Sequence, residues 1–210
     1  MSMKPNNQDS KQRILDAALD VFYEVGFEGA RVDDIAKRAQ VNKALIYYYF
    51  KSKEELLTEL ININIDEMLL MKSQVLESND TFNISAYKEA SNKMIDMLKH
   101  KKKILSILLG EILKNSNNEK ISKGFEFFFP IMEDSIERMR AIGVDQARVD
   151  EGIIAGFFFG MMPVITYITI GEKWADCYGF DKSYLEDKFT GFLNDFFIEN
   201  FIQFLKKEQP

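Results

Sequence analysis

Residues 31–57 read Arg31-Val-Asp-Asp-Ile-Ala-Lys-Arg-Ala-Gln-Val-Asn-Lys-Ala-Leu-Ile-Tyr-Tyr-Tyr-Phe-Lys-Ser-Lys-Glu-Glu-Leu-Leu57, and their spacing decides the fold. Two short helices fit, Val32 to Ala39 and Lys43 to Phe50, joined across residues 39–43. Ile35, Ala36, Ala39, Val41 and Ile46 are small or apolar where such a pair has to pack, and Ala36 allows close approach. So tight a connection suits a helix-turn-helix, in which the first helix braces the second against the DNA major groove. The outer side of the second helix offers Lys43, Tyr47 and Tyr48, followed by Lys51 and Lys53. Lysines neutralise phosphates, and tyrosine hydroxyls bond phosphates or base edges while the ring packs on a sugar or a thymine methyl.

Outward from this stretch, apolar residues recur at helical spacing and no run of period-two alternation stands between turn residues, which predicts an all-α chain. Ser10 reads as the cap of a first helix with the stripe Ile14, Leu15, Ala18, Leu19, Phe22 and Val25, stopped at Gly26. Ser52 with Glu55 forms a capping box for a long helix through Leu56, Leu57, Leu60, Ile61, Ile65, Met68 and Leu69. Asn79, Asp80 and Asn83 break that pattern, and helices over about 85–99 and 101–114 follow. Asn115 to Asn118 reads as a loop, and a helix over about 121–142, interrupted at Pro130, stops at Gly143. Asp145 caps an apolar helix ending at Gly171, and Ser183 with Glu186 caps a last helix rich in phenylalanine. About nine helices result, with no internal repeat.

The 31–57 stretch resembles the DNA-binding signature of TetR-family transcriptional regulators. Over about Gln12 to Leu57 the Ile-Ala, Val, Tyr-x-Tyr-Phe, Lys-x-Lys and Leu-Leu elements fall in the family's order. Gln40 stands where the family usually has a turn glycine, Asn42 where it has serine or threonine, and Ala44 and Leu45 where it often has glycine and threonine. The resemblance implies a three-helix DNA-binding domain over 1–53 and a helical effector-binding and dimerisation domain over 54–210. It further implies DNA contacts at Arg31, Lys43, Ala44, Leu45, Tyr47, Tyr48 and Lys53, with Tyr49 and Phe50 packed inside.

Composition narrows the chemistry. His100 is the only histidine and Cys177 the only cysteine, so zinc sites built from several such ligands are excluded by count, and no internal disulfide can form. No catalytic residue, metal ligand or cofactor motif stands out, and an all-helical enzyme would need a reactive constellation that is not visible. The polar start from Met1 to Gln12 has no secretion-signal pattern, which favours a cytoplasmic protein. Gly152 to Gly171 carries no charge, yet its glycines, Pro163 and acidic flank Asp150-Glu151 argue against a membrane span and for a buried helix. The net charge of −6 is uneven: Met1 to Lys53 holds nine Lys and Arg against seven Asp and Glu, a net of +2, leaving −8 for the rest. The acidity therefore falls on the part that should face away from DNA.

Within the larger domain, Gly152, Gly156 and Gly160 lie four apart on one smooth helix face, which with Phe189, Phe196 and Phe197 suggests a homodimer interface; packing within one subunit is the alternative. Phe125, Phe128, Phe129, Met132, Phe158, Met162 and Tyr167 are soft side chains suited to an apolar effector pocket, or to ordinary core. Glu111 shares a face with Ile104, Ile107, Leu108 and Ile112, so it meets either a ligand or an internal partner. The run Lys99-His-Lys-Lys-Lys103 is either a solvated turn or a contact that reports on ligand state. Together these readings describe a homodimeric repressor released from a palindromic operator by an apolar or amphipathic small molecule. A ligand-independent architectural DNA-binding dimer is the runner-up.

Overall fold

The computed structural model describes residues 7–75, 83–114, 125, 128–141 and 143–206. Among these, nine continuous helices form and no strand. They are α1 (Asn7–Gly29), α2 (Val32–Ala39), α3 (Lys43–Tyr49), α4 (Lys53–Val75), α5 (Ile84–Lys99), α6 (Lys102–Lys114) and α7 (Phe129–Ala141). Helix α8 runs over Gln146–Ala155, a π-helical turn Gly156–Met161, and Met162–Tyr178. Helix α9 likewise joins Lys182–Phe192, a π-helical turn Leu193–Ile198, and Glu199–Lys206. The expected loop at 115–118 and the start of the expected 121–142 helix lie outside the described residues; the helix described there begins at Phe129, with Pro130 in its first turn, where a missing N–H costs nothing.

Two compact units form, residues 1–66 with 103–127 and residues 67–102 with 128–210. The first has a core of Ile14, Ala18, Phe22, Ile35, Ile46, Phe50 and Leu56, together with Ile104, Leu105 and Leu108 of α6. In the second, Ile136, Met139 and Val149 are packed by Met132, Val144, Ile153, Phe201 and Phe204.

Local signals set most helix ends. Gly26, at φ 75° and ψ 163°, stops the first helical run of α1 as expected, and a short further turn across this kink reaches Gly29. Ser10 is not its cap: it lies buried inside the helix and accepts a bond from Arg13 Nη2 at 3.2 Å. Val25 leaves the expected stripe and is 56% exposed, while Val21 takes a buried place. Ser52 Oγ accepts from the Glu55 amide at 3.1 Å, and the Glu55 carboxylate reaches back to the Lys51 amide at 2.8 Å, so the capping box closes one residue early. Asp145 accepts from the Arg148 amide at 3.1 Å, as expected.

Two other ends depart from the sequence reading. Helix α8 passes through Gly171 and stops at Gly179, φ 72°; Gly171 is buried under the Tyr167 ring, where a Cβ would come within 3.0 Å. Helix α9 is capped by Asp181, which accepts from the Tyr184 amide at 2.9 Å and from the Ser183 hydroxyl, so Ser183 supports the cap rather than forming it. The apolar α8 is also not a buried helix within one chain: only 22% of its most apolar window is covered.

The α2–α3 turn carries the one left-handed residue that is not glycine among the described residues. Gln40 adopts φ 56°, ψ 44°. Its amide bonds to the Lys37 carbonyl at 3.3 Å, and the Val41 amide bonds to that of Ala36 at 3.0 Å, the paired bonds of a Schellman ending. A Cβ in this conformation costs about 1–2 kcal/mol, only partly offset by the chain entropy a glycine loses on folding. Gln40→Gly is therefore expected to raise unfolding stability by about 0.5–1 kcal/mol in a denaturant titration. Equal or lower stability would show that the turn carries no such strain.

Candidate nucleic-acid interface and effector cavity

Helix α3 is built to present one face. Asn42, extended at φ −78°, accepts the Leu45 amide at 2.8 Å and so fixes where the helix begins. Ile46 is buried beneath it and Phe50 closes its end in the core. Lys43, Ala44, Tyr47 and Tyr48 then point outward together, with Tyr48 74% exposed, while Leu45 and Tyr49 are half-buried. Tyr49 meets Tyr48 edge-on at 5.2 Å and so steadies the outer ring. Arg31 is exposed at the start of α2, with extended backbone and no side-chain cap.

Lys43 pairs with Asp33 of α2 at 2.9 Å, and that hydrogen bond pushes its ammonium above the usual lysine value. A cation held this way is already placed, and a phosphate would have to displace one exposed carboxylate.

Lys53 stands differently. Its ammonium donates to the carbonyls of Phe27 at 2.7 Å and Ala30 at 3.2 Å, with Glu28 at 3.4 Å, and lies 4.4 Å from the centre of the Phe27 ring. It closes the end of α1 instead of reaching outward. Arg13 does the same for α2, donating to the Ala39 carbonyl at 3.1 Å, and Arg38 grips Glu24 through two bonds of 2.7 Å. That fork lowers the Glu24 carboxyl and raises the Arg38 guanidinium. None of these braces was legible as such, because each joins residues that are distant in sequence.

The basic run 99–103 is divided among separate carboxylates. Lys99 bonds Glu186 at 2.5 Å and Asp96 at 3.0 Å, Lys101 pairs with Glu67, Lys102 with Glu172, and Lys103 with Asp20 of α1 at 2.5 Å. Each of these four lysines has an acidic partner, while His100 and Lys103 remain exposed.

In the second unit a cavity of about 220 Å³ lies among α5, α7, α8 and α9. Met132 lines it as expected, joined by Met94, Met139 and Met161. Gly152, Gly156 and Gly160, read as a dimer face, line this cavity as well, and a Cβ on Gly160 would fall 2.6 Å from the Phe197 ring of the same chain. The glycine face is therefore turned inward.

Other expected effector residues are elsewhere. Phe128 is buried edge-on to Phe157 at 6.5 Å, Phe158 is exposed, and Met162 is half-buried outside the lining. Glu111 is partly exposed and Phe125 exposed; both belong to the first unit and neither lines the cavity. The Phe129 side chain lies outside the described residues. Tyr167 stacks on Phe189 at 4.3 Å beside a separate, more polar hollow, and burial followed by Glu186 pushes its hydroxyl up.

A second, larger recess of about 630 Å³ is an open apolar groove on α8 and α9, lined by Phe159, Phe192 and Phe196. Phe196 is 68% exposed there, whereas Phe197 lies inside. Leu193, Phe197 and Phe201 border both the groove and the cavity.

The family described as "Bacterial regulatory proteins, tetR family" matches residues 14–60. A Bacillus subtilis protein named as the uncharacterized HTH-type transcriptional regulator YhgD is 34% identical over 80 residues, 38% of this chain and 42% of that protein. The Staphylococcus aureus biofilm operon icaADBC negative transcriptional regulator IcaR is 35% identical over 66 residues, 30% of this chain and 36% of that one. The matches thus span about two fifths or less of these relatives' length. Among solved structures, the fatty acid degradation regulator FadR of Bacillus halodurans superposes with a TM-score of 0.66 at 23% identity, over 93% of this chain and 98% of that one. FadR of Bacillus subtilis in complex with stearoyl-CoA gives 0.65 at 22% identity, over 88% and 97%. These show a shared fold along nearly the whole length.

Replacing Lys53 by Met keeps the stem over Phe27 and removes the ammonium from its carbonyls. Unfolding stability is expected to drop by about 1–2 kcal/mol. An unchanged midpoint would mean that the clamp contributes nothing in solution.

Proposed function

We propose that the chain is a ligand-responsive transcriptional repressor whose residues 14–60, which match the tetR family of bacterial regulatory proteins, form its DNA-binding domain. The observation that carries the reading is the outward face of α3, where Lys43, Ala44, Tyr47 and Tyr48 stand together above a fixed Asn42 cap. Lys43 and Tyr48 serve phosphates, Ala44 and Tyr47 meet base edges, and Leu45 offers at most an apolar edge. Arg31 reaches the flanking backbone. Lys53 holds the end of α1 in position and takes no direct part.

The groove on α8 and α9 is the proposed dimer face. Exposed Phe158, Phe159, Phe192 and Phe196 make an apolar surface that a second copy would cover. A two-fold dimer presents two α3 helices about 34–36 Å, or a small multiple of that, apart and reads a palindromic operator. The domain division proposed is 1–53 for DNA contact and 54–210 for sensing and dimerisation. IcaR is named a negative regulator and the Bacillus subtilis FadR structure holds stearoyl-CoA, which supports repression relieved by an apolar or amphipathic effector, in the cytoplasm where the operator is.

In a salt titration on a selected operator, Lys43→Ala is expected to flatten the slope of log affinity against log salt by about one unit, while Lys53→Met leaves it unchanged. The reverse pattern would exchange their roles. In sedimentation, the chain is expected at about twice 24.4 kDa, and Phe196→Asp at the monomer mass. A wild-type monomer at micromolar concentration would remove the dimer.

A further inference from the structure

The cavity of the second unit has a shape and a chemistry that define what fits it. Its volume is about 220 Å³. An apolar cavity of about 150 Å³ accepts a six-carbon ring, and on that scale this one holds roughly nine carbons. A Cβ built on Gly156 meets nothing within 4 Å, so the space above that residue is open. One turn on, the Phe197 ring stands against Gly160 and closes that end. Gly156, Gly160 and Phe197 all lie in π-helical turns, where an extra residue widens the helix and re-aims side chains.

The polar side is equally limited. Among the described residues lining the cavity, only Tyr87 and Ser91 have polar side chains, and none is charged. They are four apart on α5 and so share one face of that helix. Hydroxyls both donate and accept, and so can serve one alcohol or carbonyl oxygen. A carboxylate end would find no cation in the lining, and the neighbouring Lys88 is already held by Asp195 at 2.9 Å and Glu199 at 2.5 Å.

We infer that the cavity takes a single unbranched alkyl chain of about eight to ten carbons ending in one uncharged hydrogen-bonding group, with that end at Tyr87 and Ser91. Gly156 admits the chain and Phe197 sets its length. This rests on the reading of the second unit as the effector domain.

Titration calorimetry of the full chain with 1-hexanol, 1-octanol, 1-decanol, 1-dodecanol and decanoate tests it. Affinity is expected to rise about fourfold per methylene as far as roughly nine carbons and then to level off. Decanoate is expected to bind at least tenfold more weakly than 1-decanol. Gly156→Leu should abolish binding with its melting temperature retained; should that variant not fold, Phe197→Ala, which lengthens the preferred chain, decides instead. Affinity independent of chain length, a continued rise through twelve carbons, a Gly156→Leu protein that binds 1-octanol normally, or an unchanged length preference in Phe197→Ala would each overturn the inference. Fluorescence anisotropy on the operator separates the two readings. Alkanol binding without DNA release supports the cavity assignment and sinks the effector reading, whereas release by another compound with no alkanol binding does the opposite.

Discussion

The first unit depends on how the end of α1 is closed. Gly26 interrupts that helix, and the turn beyond it presents carbonyls that need donors. Lys53, the first residue of α4, supplies them with one ammonium and rests against Phe27 as it does so. The start of α4 is thereby tied to the end of α1, and the helix pair between them is held within a closed path. Arg13 on the Ala39 carbonyl and the Arg38–Glu24 fork fix α2 against α1 from two further sides. A helix of seven residues such as α3 has little stability of its own, so its pose comes from these supports and from Ile46 and Phe50 below it.

What could be read in advance follows from the range of each interaction. Asp145 and Gly143 act within three or four residues of themselves, and their cap and turn are where the sequence places them. The outward residues of α3 were legible for the same reason, since a seven-residue helix with one buried apolar position leaves little choice of face. Where two local signals competed, the stronger acceptor took the position: Asp181 stands two residues before Ser183, and its carboxylate caps the helix while holding the serine hydroxyl.

Long-range roles were not legible. A lysine reads the same whether it meets a phosphate, as implied for Lys53, or the carbonyls of another helix. Gly171 resembles a helix stop but makes room for the Tyr167 ring, and Gly160 does so for Phe197. The charge-free stretch of α8 was right in its composition and wrong in its surroundings, because hydropathy records how apolar a face is and not what covers it. The same limit moved the glycine face from the outside of the second unit to its interior.

Leu193, Phe197 and Phe201 border the groove on one side and the cavity on the other, so a single layer of side chains separates the two spaces. Interiors are packed too closely for such a layer to shift on one side alone. Whatever rearranges the Phe197 ring reshapes both surfaces, and the coupling free energy is the same in either direction. A ligand that displaces the Phe197 ring would alter the outer face, and a partner that displaces it from outside would alter the cavity. A signal passing between the two spaces would need no extended pathway, only this one wall of side chains.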